Sequence, residues 1–220
     1  MLLYSTKMFI NFVSSKNKNM KKVVFILAVL LGVAVVSQAQ KPVVEKPKVE
    51  AKKLSKDGYK ILPDALHPMK KQLEFVYANQ IMKDEDEDMP KYLMGVGTAS
   101  DASLNQAKIS AREKAVQIIL HQVMVPMKSI IEEYGGINEN GSVSLEELLN
   151  MVEEKCKQKM MSGPTLAAFY KKEGGKYVVK RYCTYSYVDA RTMAIDFFEA
   201  ELKNESEMLK YALRKPSNWK

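Results

Sequence analysis

The sequence is poor in the residues that most enzymes and metal sites use for chemistry. Among its 220 residues it has two histidines, His67 and His121, and two cysteines, Cys156 and Cys183. Neither histidine has Cys, Asp or Glu at a recognised metal-site spacing. Nucleophile-elbow, P-loop and zincin motifs are also missing. We therefore assign no catalytic, cofactor or metal residue and expect a protein that is not an enzyme; a hydrolase without a readable motif is the weakest alternative.

Acidic residues are missing from residues 1–39, which contain five lysines. Without this segment the chain has 29 basic and 26 acidic residues, and the formal charge falls from +8 to +3. A strongly basic surface is the electrostatic signature of nucleic-acid binding. The corrected charge therefore argues against a nucleic-acid partner.

The same N-terminal segment has the plan of a secretory signal peptide over residues 20–39. Met20 precedes two lysines, residues 23–36 form an uncharged apolar run, and Ser-Gln-Ala ends at Ala39. This pattern predicts cleavage between Ala39 and Gln40 and export to the periplasm or the medium. Residues 1–19 are interpreted as an over-long start before the true initiator.

A stable membrane anchor after cleavage is not expected. A fourteen-residue apolar helix spans about 21 Å, whereas a bilayer core is about 30 Å thick. Cysteine is also missing near the cleavage point, which excludes lipid attachment there.

The mature chain divides by composition into a tether, one domain and a tail. Residues 40–58 mix Lys, Glu and Val with Pro42 and Pro47, a composition that predicts a flexible tether. Folding is expected to begin near Tyr59 and to continue through residues 59–213, with residues 214–220 as a tail.

Hydrophobic periodicity predicts alternating helices and strands in this domain. They are, in order, a helix over 67–83, a strand over 91–99, a long helix after Ser103 that ends or kinks at Pro126, a helix over 144–161, strands over 165–172 and 176–188, and a last helix from Asp189. Ser144 and Glu147 have the spacing of a capping box at the start of the helix over 144–161. A hairpin with one possible crossover favours an α+β fold, with a small, mainly antiparallel sheet and several helices packed on one face.

Gly95 and Gly97 stand where the first long strand leads into the long helix. A dinucleotide-binding turn needs a further glycine where Ser100 stands, and the βαβ context is missing. Glycine has no side chain, so we expect these positions to allow the helix to approach the strand closely. Exposed backbone N–H groups forming a weak anion site are the less favoured interpretation.

Aromatic and basic residues are concentrated on the predicted hairpin 165–188. Tyr182, Tyr185 and Tyr187 could form a binding surface for a small ligand or glycan. Tyrosine also favours half-buried strands, and export makes a nucleic acid an improbable ligand. A ligand-binding module is therefore the alternative to our leading hypothesis.

The two cysteines share apolar faces with their neighbours. Cys156 follows Val152 by four residues on a helix, and Cys183 alternates with Val179 on a strand. An oxidising compartment permits a disulfide between them, which would stabilise the fold by about 3–4 kcal/mol. Two buried free thiols are the equal alternative, because free cysteine behaves as a small hydrophobe.

The stretch 92–99, YLMGVGTA, followed by a helix with Ala107, Ala111 and Ala115, resembles the LPP-twenty-like lipoprotein family. It is also similar to flagellar assembly protein T and the SIMPL-domain envelope proteins, as is the strand 177–188 that leads into a helix. The resemblance implies an envelope protein with helices on a small antiparallel sheet and no established catalysis. The chain departs from the family in lacking the lipid-bearing cysteine and in having the helix over 67–83.

These observations lead to one hypothesis about function. We expect an exported, non-enzymatic cell-envelope or secreted protein with an accessory or assembly role. Its partner would be another envelope protein or a second copy of the chain.

Overall fold

The computed structural model describes residues 45–84, 89–134, 144–201 and 207–219. The predicted signal peptide and its cleavage site lie outside these residues. In chain order, the elements are α1 Glu45–Lys56, β1 Lys60–Ile61, α2 Met69–Ile81, β2 Tyr92–Asp101, α3 Leu104–Tyr134, α4 Leu145–Met160, β3 Thr165–Glu173, β4 Lys176–Ser186, α5 Tyr187–Glu201, α6 Glu207–Arg214 and a 3-10 turn Pro216–Trp219.

The strands form one antiparallel sheet in the order β1-β3-β4-β2. The predicted hairpin is formed by β3 and β4, which are joined through Gly174 and Gly175, both with positive φ. Helices pack against this sheet, so the α+β class predicted from the sequence is confirmed.

Helix α3 lies directly on β2. A Cβ atom placed at Gly95 would lie 1.9 Å from the carbonyl oxygen of Ala115, and one placed at Gly97 would lie 1.9 Å from that of Ala111. Only glycine fits at either position, which confirms close approach as the reason for the pair. Both glycines lie inside β2, paired with Cys183 and Arg181 of β4, and not at the helix start where a weak anion site was considered.

One helix continues through Pro126 to Tyr134, so the predicted end of the helix at Pro126 is wrong. Proline removes a helical hydrogen bond at a cost of about 3 kcal/mol. Val123 and Met127, on either side of Pro126, are both buried in the main core. Packing along the length of α3 therefore outweighs the local break.

The main core lies on the α3 side of the sheet, where α4, α5 and α6 pack around that helix. Its largest fully buried side chains include Leu120, Val152, Phe198 and Leu213. The predicted capping box at the start of α4 is formed, with reciprocal hydrogen bonds between Ser144 and Glu147.

The predicted C-terminal tail is wrong where the structure describes it, because Trp219 belongs to this core. Trp219 is buried, and its indole Nε1 donates a 2.7 Å hydrogen bond to the carbonyl oxygen of Leu213. A single tryptophan after a polar stretch forms no repeating hydrophobic pattern, so the sequence gives no sign that Trp219 is buried.

The predicted tether 40–58 is also wrong where the structure describes it. Residues Glu45–Lys56 form α1, and Leu54 packs with Leu73 of α2 and with Phe169 and Tyr182 on the second face of the sheet. Helix α1 is rich in lysine and buries few side chains, so its composition is typical of a disordered segment. Pro47 lies in its first turn, where proline is tolerated.

We expect Gly97→Ala to destabilise the protein by about 3 kcal/mol, the upper end for overpacking, because the added methyl group meets helix backbone rather than a mobile side chain. Urea unfolding followed by circular dichroism measures this. Ser100→Ala, on an exposed position of the same strand, is the matched control and should change stability by less than about 0.5 kcal/mol. Equal stabilities of the two variants would show that α3 can move away from β2.

Candidate functional site

The three tyrosines predicted as a binding surface do not lie together. Tyr182 faces α1 and α2, whereas Tyr185 packs against the main core on the α3 side of the sheet. Odd-numbered and even-numbered residues of a strand point to opposite faces of the sheet. Tyr187 is not in the strand: β4 ends at Ser186, and Tyr187 begins α5. Tyr182 and Tyr187 are each only 3% exposed. The hairpin therefore presents no shared aromatic surface, and the predicted binding surface of these three tyrosines is wrong.

Tyr182 belongs instead to a polar cluster around Glu50 of α1. The phenol oxygen of Tyr182 donates to Glu50 Oε1, and that of Tyr77 donates to Oε2 at 2.7 Å. The ammonium group of Lys180 lies 3.6 Å from Oε1. One carboxylate thus joins α1 to α2 and to β4.

Both phenols of this cluster resist ionisation. Burial, reinforced by the hydrogen bond to Glu50, raises the pKa of Tyr77 to about 12. The same two causes raise the pKa of Tyr182. Neither group exchanges protons near neutral pH, so the cluster suits a structural anchor better than acid–base chemistry.

Cys156 and Cys183 are both buried free thiols in the structure. The inward orientation predicted for them is correct, and the disulfide is not formed. Cys183 Sγ lies 3.9 Å from Thr165 Oγ1. Burial raises the pKa of Cys156 to about 12 and also raises that of Cys183, so neither thiol resembles an activated nucleophile.

The histidines do not come together with other metal-binding side chains. The ring of His67 makes an edge contact with Phe75, with centroids 5.4 Å apart, and His121 is exposed on α3. Within the described ranges, no group of three or more His, Cys, Asp or Glu side chains is placed to hold a metal ion.

A groove of about 360 Å³ separates α3 from α4. It is lined by Met124, Leu145 and Leu149 together with charged side chains that include Lys128 and Glu153. No residue of the hairpin 165–188 lines it. The groove therefore gives no support to a ligand site on the tyrosine-rich strands.

Strand β2 is one of the two strands that end the described sheet, and no described strand pairs with its outer edge. We call this edge, together with the flank of α3 beside it, the edge surface; its residues are Met94, Val96, Thr98, Lys114, Ile118, Gln122 and Val125. Lys114 Nζ and Gln122 Nε2 donate to the carbonyl oxygens of Thr98 and Met94 at 3.1 and 3.0 Å. These bonds place one stripe of α3 along the strand edge.

The edge surface also exposes apolar side chains. Ile118 and Val125, on the same stripe of α3, are 45% and 49% exposed, and Val96 on β2 is 39% exposed. Residues in antiparallel strands direct their N–H and C=O groups alternately to the two sides. The outward groups belong to the alternate residues that include Met94, Val96 and Thr98. Sequence patterning found β2 but did not show which of its edges stays open.

Comparison of the chain with protein-family models, curated proteins and solved structures finds no match. Among the helices that the structure describes, none combines the length and the apolar character that a membrane crossing needs.

Stability should fall as the pH rises from about 10 to about 12. Unfolded tyrosine ionises near pH 10, whereas Tyr77 in the folded protein holds its proton up to about pH 12. The unfolded state therefore loses protons first, and the contribution of Tyr77 is present below pH 10 and lost above it. Denaturant unfolding across this range should show a smaller loss in Tyr77→Phe than in wild type. Identical pH slopes would contradict the shifted pKa.

Both thiols should be inert in the folded protein. Thiolates are the reactive species, and burial disfavours them at both positions. At neutral pH we expect alkylation of the native protein to be slow, and alkylation under denaturing, non-reducing conditions to modify both cysteines, as mass spectrometry would detect. A mass two hydrogens lower, without alkylation, would show a disulfide instead.

Proposed function

We propose that this chain is an exported, non-enzymatic protein of the cell envelope or of the medium, with an accessory or assembly role. The observation that carries the proposal is the edge surface, where a ten-residue strand ends the sheet beside exposed apolar side chains. Unpaired edges of this kind recruit strands from other chains.

The chemistry of the edge surface suits an extended peptide segment. A partner strand would hydrogen-bond to the outward groups of Val96 and its alternate neighbours. Its side chains on one face would contact Ile118 and Val125, and those on the other face would contact Val96. Lys114 and Gln122, which bond two of the outward carbonyl groups, would act as gatekeepers that a partner displaces.

Export and family membership are parts of the same proposal. Export is supported by the charged, apolar and small-residue pattern of residues 20–39. Membership of the LPP-twenty-like family is supported by the Gly95–Gly97 strand and the alanine-spaced helix that follows it. A ligand or glycan module on the hairpin has lost its main support, because two of its three tyrosines are buried.

Crosslinking in the native envelope tests the proposal. The wild-type chain should give reproducible crosslinks to one protein neighbour or to a second copy, and its N-terminus should begin at Gln40. Ile118→Lys should abolish the crosslinks, because it places a charge in the middle of the edge surface. Retention of the uncleaved N-terminus in the cytoplasm would overturn export.

Ile109→Lys is the matched control. Ile109 lies on the same helix and is 47% exposed, close to the 45% of Ile118. Nine residues separate the two positions, which puts them on opposite sides of a helix with 3.6 residues per turn. Crosslinks should survive this substitution. Equal effects of both variants, or no reproducible neighbour in wild type, would contradict an assembly role of the edge surface.

A further inference from the structure

Two arginines meet where the first turns of α3 pass the beginning of β3. Arg181 of β4 is the register partner of Gly97, and its Nη1 donates a 3.2 Å hydrogen bond to the carbonyl oxygen of Lys108 on α3. Arg112 lies one helical turn after Lys108, and its Nη2 donates to the carbonyl oxygen of Gly163, just before β3. Both side chains are half-buried.

Each guanidinium group keeps unused hydrogen-bonding capacity. Arg112 Nε and Arg181 Nε are buried without a hydrogen-bond partner. The hydrogen bonds of the two side chains to described residues are made by Arg112 Nη2 and Arg181 Nη1, which leaves Arg112 Nη1 and Arg181 Nη2 without a described partner. Burying unpaired donors costs free energy, which a bound acceptor would recover.

The charge of the pair is only weakly compensated, because Asp64 acts on Arg181 without pairing with it. No described carboxylate lies within ion-pair distance of either arginine; the acid nearest this corner, Asp64, is 72% exposed and pairs with Lys108 Nζ at 3.2 Å. Burial, together with the nearby charge of Arg112, lowers the pKa of Arg181. Two like charges held together in a half-buried corner are stabilised by an anion between them.

We propose that Arg112 and Arg181 form a binding site for a phosphate-type oxyanion. The free Nη1 of Arg112 and Nη2 of Arg181 would donate charge-assisted hydrogen bonds to it, a geometry for which guanidinium groups are well suited. The bound group is either free phosphate or the phosphate of a lipid headgroup.

Isothermal titration of the mature chain with inorganic phosphate tests the site, with chloride at equal ionic strength as the reference. We expect saturable binding of phosphate by wild type and a loss of affinity of about tenfold or more in Arg181→Gln, because one charged donor group is removed. Lys128→Gln, which removes one exposed positive charge from the same helix sixteen residues beyond Arg112, should bind phosphate as wild type does.

A second arm separates the two sources of phosphate. Vesicles of phosphatidylglycerol and of phosphatidylcholine should be tested by co-sedimentation with wild type and with Arg181→Gln. Binding of phosphatidylglycerol vesicles alone, lost in Arg181→Gln, assigns the site to a headgroup. Binding of inorganic phosphate assigns it to the free ion.

Thermal unfolding distinguishes a ligand site from a purely structural pair. Phosphate should raise the Tm of wild type but not that of Arg181→Gln or Arg112→Gln. Arg181→Lys retains the charge and serves if the glutamine variants do not fold; it should bind phosphate more weakly than wild type. The proposal is overturned if wild type binds neither phosphate nor anionic vesicles, or if binding is unchanged in the arginine variants.

Discussion

The contact between β2 and α3 is the constraint on which the rest of the structure depends. Two residues without side chains, Gly95 and Gly97, meet a helix face made of Ala111 and Ala115. The helix therefore lies so close that its carbonyl groups occupy the space of a missing Cβ atom. Many short-range contacts along this line fix the direction of α3, and the later turns of α3 then form the centre around which α4, α5 and α6 pack.

The second face of the sheet is held together differently. Few apolar side chains are available there, and Glu50 supplies the specific link between α1, α2 and β4. The carboxylate accepts from two phenols, one of them 132 residues away in the chain. A small apolar cluster of Leu54 and Phe169 supports the same contact. Polar anchoring of this kind explains how a lysine-rich segment becomes an ordered helix.

The two surfaces considered for binding differ in chemistry and in place. The edge surface offers open backbone groups and exposed apolar side chains such as Ile118. The arginine pair offers guanidinium donors in a half-buried corner next to Gly163. They use different positions on α3, so a substitution in one leaves the other intact. An assembly protein with a phosphate-dependent site would use both surfaces of the same helix.

Local pattern alone determined the α+β class, the hairpin, the Ser144 cap and the role of Gly95 and Gly97, because periodicity, capping and the missing side chain act within a few residues. Features that depend on contacts between residues far apart in the chain were decided only by the tertiary structure. Helix α1 folds because it packs on α2 and on the sheet, and Tyr182 donates to the half-buried carboxylate of Glu50, which is far away in the sequence. The edge surface and the Arg112–Arg181 pair likewise exist only through strand order and register, which no local signal encodes.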